Sequence, residues 1–394
     1  MDYISLPASL RITTPTLIVD KERCLRNIKR MADKAKAAHI TFRPHCKTHA
    51  SLEIGTWLQQ EANVSKITVS SLTMAKYFAT TFSDITVAFP VNVLEIDTIN
   101  EIISRPCDDC FPQLNVIVES PEVVTFLQRH LVGMVGVYIK VDVGYGRTGI
   151  PAQDFDRVDR ILHYLLDPEY KTKLKFLGFL AHAGHSYSCR SKDELLSIYN
   201  SSKKLLLALK EQCQGKYPDI TFDLSIGDTP TCSVIDPGDL QDIQEMRPGN
   251  FVFYDVEQAE IGSCGYDDVA VAVACPIVAK HPDRREIILY GGGVHFSKDR
   301  WVDPDKSGRV VFGQVVRSIP GEPLRWGSVI DGMYLRSCSQ EHGIVVVPPE
   351  EDFDSYQIGE IMKVLPVHSC MTANVMSNKG YVTCDGERIS RMKD

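Results

Sequence analysis

Residues 39–49 read His39-Ile40-Thr41-Phe42-Arg43-Pro44-His45-Cys46-Lys47-Thr48-His49. The first four form a short run that predicts a strand, and a helical pattern starts near Ser51. A strand leading at once into a helix is where an open, doubly wound sheet usually carries a glycine-rich nucleotide fingerprint. Here that place holds a lysine among His45, Cys46 and His49. One reading is an ordinary lysine at a loop tip. The other is an amine kept reactive by its pocket and able to form a Schiff base with a carbonyl cofactor.

Seven further strand-like runs follow, at 66–70, 85–89, 114–118, 137–141, 175–181, 220–225 and 244–247. Most are separated by helical patterns, and Asp20 can cap a helix that precedes the first. Near-continuous apolar strands alternating with helices imply a parallel sheet. Eight units in this length predict a (β/α)8 TIM barrel over residues 16–262, with the doubly wound sheet as the alternative. Beyond about residue 265 the pattern changes to short β runs at 269–275, 286–290, 310–312, 344–347, 361–364 and 381–383. That reads as a separate all-β domain, 263–394, which the extended residues 1–15 are expected to join. The fold class is thus α/β followed by all-β.

In a barrel the loops after the strands converge on one face. Lys47 follows the first strand, and Gly144-Tyr145-Gly146-Arg147-Thr148-Gly149 the fifth. His182-Ala183-Gly184-His185-Ser186-Tyr187 follows the sixth. Ser225-Ile226-Gly227-Asp228-Thr229 follows the seventh, and Arg247-Pro248-Gly249-Asn250 the eighth. The last two suit phosphate held by backbone N–H groups. Any one of them reads equally as a plain loop; five on one face argue for a site. In the β domain, His368-Ser369-Cys370 puts imidazole and thiol two residues apart. On a strand they would share a face, and the pair suits Zn2+. The alternative is a satisfied histidine beside a buried thiol. Gly291-Gly292-Gly293-Val294-His295 and Ser339-Gln340-Glu341-His342-Gly343 add polar groups to the same domain.

Composition bounds the rest. The chain has 394 residues, 44% apolar and 24% charged, with net charge −8 and no basic cluster. That argues against nucleic acid or an anionic membrane as partner. No run of about 18 apolar residues predicts a membrane span. The start, Met-Asp-Tyr-Ile-Ser-Leu-Pro, has neither a basic nor an apolar leader region, so a cytoplasmic location is expected. Twelve cysteines are scattered and read as free thiols in a reducing compartment. Cys107 and Cys110 form a lone C-x-x-C, read as a surface loop because two aspartates separate the sulfurs.

Arg43-Pro44-His45-x-Lys47-Thr48-His49, with His368-x-Cys370-x-Thr372-x-Asn374 far downstream, resembles the D-serine dehydratase and D-threonine aldolase family. These are fold-type III pyridoxal-phosphate enzymes related to alanine racemase. The resemblance spans nearly the whole chain and implies an N-terminal barrel and a C-terminal β domain. It implies Lys47 as Schiff-base lysine, Arg147 near the cofactor's phenolic oxygen and Tyr187 near its ring nitrogen. His182 lies in the same loop and counts among the cofactor contacts. Gly227, Thr229, Gly249 and Asn250 are implied for the phosphate, and His368 and Cys370 for a metal. The implied activity is a zinc-dependent dehydratase converting D-serine to pyruvate and ammonia. The alternatives are retro-aldol cleavage of D-β-hydroxy amino acids, where Mn2+ or Mg2+ would serve, and a pyridoxal-phosphate binder without turnover. Cys370 favours the dehydratase, since family aldolases more often carry an oxygen ligand there. The family also implies a homodimer. Asp228 departs from the small residues expected in its loop, and a carboxylate near phosphate is unfavourable unless it points away.

Overall fold

The computed structural model describes residues 11–105, 113–168, 173–303 and 308–393. Cys107 and Cys110 lie outside them. The chain divides into two compact units, one of residues 29–249 and one of residues up to 28 together with 250–394. The divisions thus fall at 28/29 and 249/250, where the sequence suggested 15/16 and 262/263. No described helix is long and apolar enough to cross a membrane.

The first unit is a parallel barrel. Its strands are β1 (Thr41–Phe42), β2 (Lys66–Val69), β3 (Asp84–Pro90), β4 (Gln113–Val118), β5 (Val135–Asp142), β6 (Leu174–Ala181), β7 (Asp223–Ile226) and β8 (Glu245–Met246). The order is β1-β8-β7-β6-β5-β4-β3-β2, every pairing parallel. Closure between β1 and β2 rests on a single parallel bridge, His45 with Thr68. The sequence explains why it is thin. The N–H groups of Thr41, Arg43 and His45 point toward β8, donating to Gln244, Met246 and Pro248. Residues 44 and 46 face β2, and Pro44 has no N–H to give. The seam is left with Thr68 N to Pro44 O, 2.9 Å, and Cys46 N to Thr68 O, 2.8 Å.

Side chains strengthen what the backbone leaves weak. Asn115 donates to Asp84 at 2.8 Å, and Arg43 reaches Asp84 at 2.7 Å and Glu245 at 2.6 Å. Ser225 bonds the other Glu245 oxygen at 2.6 Å, and Arg247 bonds Ser225 Oγ and Ala181 O, both at 2.6 Å. This buried network runs from β3 and β4 through Arg43 to β8, β7 and β6. Burial opposes the charge on Arg43, but Glu245 and Asp84 outweigh it and raise its pKa.

The second unit is antiparallel. Val271–His281 pairs with Glu286–Tyr290 and with Ile361–Pro366. Through His342–Val346, Glu322–Cys338 and Gly313–Ile319 the sheet returns on itself as a six-stranded barrel. Thr16–Val19 joins it, antiparallel to Val271–His281 and parallel to Tyr381–Thr383. Among the described residues, the N-terminal contribution to this sheet is 16–19. Residues 11–15 carry no strand, and 1–10 lie outside the described residues.

The network gives a stability prediction. Glu245→Gln leaves Arg43, 3% exposed, without its nearest counter-charge and should cost about 3–5 kcal/mol. Glu351→Gln, facing the exposed Arg317, should cost less than about 1 kcal/mol. Urea unfolding of the two variants beside the parent checks the difference.

Candidate active site

The turn after β1 is shaped by its own histidines. Lys47 N donates to His45 Nδ1 at 3.3 Å, and Ser51 N donates to His49 Nδ1 at 3.2 Å. A ring nitrogen that accepts carries no proton, so His45 is neutral in this arrangement. Burial, then the charges of Lys47 and Arg247, lower its pKa well below the usual range. Cys46, Thr48, His49 and Ala50 are buried, whereas Lys47 is exposed. The turn faces inward except for one amine. Ser51 then caps the helix Leu52–Ala62.

The loops after β5 and β6 meet. Asp142 accepts from the N–H groups of Gly144, Tyr145 and Gly146, which folds the loop back. Arg147 lies over the Tyr145 ring at 5.0 Å. Tyr145 in turn packs edge-on to His182 at 6.0 Å and stacks on His185 at 6.3 Å. A Cβ at Gly184 would come within 2.3 Å of the Tyr145 ring, so only glycine leaves room for it. His182 Nδ1 bonds the Gly227 carbonyl. A carbonyl only accepts, so Nδ1 carries the proton and Nε2 is bare. Burial and the nearby Arg147 lower the His182 pKa, which keeps the ring neutral. Tyr187 is half-buried in the short helical turn Gly184–Ser188. Beneath these loops Lys140 of β5 is buried, and its Nζ donates to Val141 O at 3.0 Å. Burial, then Arg247 and Arg147, pushes its pKa down to about 7.

The loops after β7 and β8 lie side by side. Gly249 N donates to Thr229 Oγ1 at 3.2 Å. A Cβ at Gly249 would sit 2.9 Å from His45 O, so the close approach of the β8 loop to the lysine turn requires glycine. Asp228 takes no place in an anion site. It caps the helix Thr229–Val234, accepting from Thr231 N and Oγ1, both at 2.8 Å, and from Ser186 Oγ at 3.0 Å. The side chain of Asn250 is likewise committed elsewhere. Its Nδ2 donates to Asp255 at 2.6 Å, to Ser369 Oγ at 2.9 Å and toward Cys370 Sγ at 3.5 Å.

These Asn250 contacts lie in the second unit, around His368 and Cys370. The two do not share a strand face as the sequence suggested. The strand ends at Pro366, His368 is the N-cap residue of helix Ser369–Val375, and Cys370 lies in its first turn. The helix turn brings the thiol into hydrogen-bond reach of the imidazole. His368 Nδ1 also meets Asp299 Oδ2 at 3.2 Å. Asp255 is saturated by Gln258 N on one oxygen and by Asn250 and Ser369 on the other. Among the described residues no group of three or more histidine, cysteine, aspartate or glutamate side chains could hold a metal. The protein ligands would thus number two, leaving positions for substrate oxygens or water.

The donor set fits a cation. Burial alone would lower the His368 pKa, yet Asp299 and Cys370 push it up to about 11. Burial, then the charge of Asp255, pushes Glu257 up to about 8 in the same pocket. An imidazole and a thiol in one helix turn, with the Asp299 carboxylate against the ring, form a donor set that suits a divalent metal.

Asp299, Tyr145 and Lys140 were not singled out in the sequence. Lys140 has a local signal, a lysine inside the apolar run 137–141. Asp299 has none, since it reaches His368 across 69 positions of chain.

Residues 19–255 match the family described as "Alanine racemase, N-terminal domain", and residues 270–382 match "Putative serine dehydratase domain". D-serine dehydratase of Dictyostelium discoideum is 26% identical over 97% of this chain and 96% of its own. D-threo-3-hydroxyaspartate dehydratase of Delftia sp. is 28% identical over 96% of each chain. Its solved structure aligns with a TM-score of 0.86 at 27% identity, over 99% of this chain and 100% of that one. D-threonine aldolase of Filomicrobium marinum shares the fold, with a TM-score of 0.75 at 18% identity over 97% of each chain.

Lys140 carries a pH prediction. The folded chain releases its proton near pH 7, whereas the unfolded lysine holds it to about 10.5. Between those values the unfolded chain binds more protons, so this group raises stability as pH rises. Lys140→Met lacks that slope. Its stability relative to the parent should be greatest near pH 7 and shrink toward pH 10, as thermal melts of both proteins across that range would record.

Proposed function

The chain belongs to the alanine racemase N-terminal domain family, and on that premise we propose that it is a pyridoxal-phosphate-dependent lyase converting D-serine to pyruvate and ammonia. The observation that carries this reading is the turn after β1, which buries its neighbours and leaves the Lys47 amine exposed at the C-terminal end of a parallel barrel. That face is where barrels place their chemistry.

In this reading Lys47 anchors the cofactor's carbonyl carbon. Thr229, Gly227 and Gly249 present the backbone around its phosphate, and Arg147, His182 and Tyr187 surround its ring. Asn250 contributes through its backbone alone, because its side chain serves the helix that carries Cys370. His368 and Cys370 hold zinc. Pyridoxal phosphate supplies a sink for charge developing at the substrate Cα, and zinc a Lewis acid for the departing β-hydroxyl. The chain's own groups do the rest. The Lys47 amine, released when substrate takes its place, removes the Cα proton. His182 is neutral and offers the bare Nε2 as an acceptor, so it adds no positive charge beside that amine. The relatives' names include a metal-free form of D-threo-3-hydroxyaspartate dehydratase, which supports a metal in this site. The reading includes a homodimer and a cytoplasmic location.

Product analysis tests it. Zinc- and cofactor-loaded protein should give pyruvate from D-serine and 2-oxobutyrate from D-threonine, both lost with EDTA. Lys47→Ala should lower the rate at least ~10³-fold. Glycine and acetaldehyde from D-threonine would overturn the assignment in favour of an aldolase. Oxaloacetate from D-threo-3-hydroxyaspartate, without pyruvate from D-serine, would keep the reaction and change the substrate.

A further inference from the structure

Asp299 reaches His368 from outside the helix that carries it. It follows the short helix Gly293–Phe296, and both the backbone and the side chain of Ser297 fix its position. Ser297 Oγ donates to Asp299 Oδ2 at 3.0 Å and accepts from Asp299 N at 3.1 Å. Ser297 pays a conformational penalty to stand there. Its φ is 70° with ψ −168°, a region almost confined to glycine, and yet a serine occupies it. The same segment is tied to the His368 helix by Thr372 Oγ1, which donates to Phe296 O at 3.1 Å. On the other side, the His368 carbonyl accepts from Thr372 N at 3.1 Å, which fixes its backbone. The backbone of His368 is therefore held by its own helix and its ring by Asp299.

A carboxylate can only accept from an imidazole that carries its proton on the shared nitrogen. The 3.2 Å contact at Nδ1 thus places a proton there, so Nε2 is the nitrogen that a metal would take, displacing any proton it carries. We propose that Asp299, held by the strained Ser297, is a positioning residue that fixes the tautomer and ring orientation of His368 so that Nε2 and Cys370 Sγ bind one divalent metal together. The arrangement is a carboxylate–histidine–metal relay, in which the outer carboxylate also increases the donor strength of the ring. This rests on the proposed metal site, and it adds a residue that touches neither metal nor substrate.

Zinc affinity, measured by competition with a chromophoric chelator on the cofactor-loaded protein, tests it without reference to turnover. Asp299→Ala should weaken zinc about 10–100-fold, and Asp299→Glu should recover part of that loss. Ser297→Gly removes the hydroxyl while relieving the backbone. It should weaken zinc without lowering the melting temperature of the metal-free protein, a combination that a purely structural role does not produce. In the cobalt-substituted protein the thiolate-to-cobalt absorption of Cys370 should persist in both variants, because only the histidine is disturbed. Equal zinc affinity in parent, Asp299→Ala and Ser297→Gly would overturn the proposal. If His368→Ala also binds zinc like the parent, the metal site itself is misplaced, and the two failures are told apart.

Discussion

Arg43 and Glu245 form an ion pair inside a barrel, and the first unit is organised around it. A parallel sheet closed with one bridge at its last seam has little main-chain hydrogen bonding to keep it shut. Arg43 spans the gap by reaching past β2 to Asp84 on β3 while holding Glu245 on β8. Isolated, such a charge would be costly to bury; here Arg43 meets two carboxylates, and Ser225 bonds the second Glu245 oxygen. Arg43 stands four residues before Lys47, so the group that closes the barrel and the group exposed at its mouth belong to one short turn.

Neutral histidines do comparable work at the mouth. His45 and His49 accept backbone N–H groups, and His182 donates to a carbonyl. Each is spent on shape, and none adds a fixed charge around Lys47. The β unit uses the opposite arrangement. Asp299 and Asp255 stand near one imidazole and one thiol, and that donor set favours a cation. The two chemistries expected of the chain, a carbonyl-binding amine and a metal, are matched by two different electrostatic settings in two separately folded units.

Much of this was legible in the sequence, and the reasons are physical. Strands buried on both faces, such as Val135–Asp142, show as apolar runs whatever the surrounding fold. The lysine turn stood out because it interrupts a strand-to-helix transition with unusual residues. The neighbouring pair His368 and Cys370 is also visible, but its local structure is not, since H-x-C fits a strand face and the first turn of a helix equally well. The family resemblance implies Asn250 for the phosphate, while the hydrogen bonds of its side chain to Asp255 and Ser369 are not legible in the sequence. Asp228, whose charge ill suits a phosphate loop, is the cap of the helix Thr229–Val234. Contacts such as Asp299 with His368 join distant residues and leave no local period or spacing to read.

The register of the first and last barrel strands bears on how the chain is made. Thr41 pairs with Glu245, so a growing polypeptide must extend about two hundred residues past the lysine turn before that turn has its eighth-strand neighbour. Domains form as units during synthesis, and long-range pairings come last. Until then Arg43 lacks Glu245, the N–H groups of Thr41, Arg43 and His45 lack their acceptors, and the lysine stands on a segment with nothing to orient it. The amine becomes part of an organised face only at the moment the barrel shuts, so a truncated or stalled chain carries the residue but not the site.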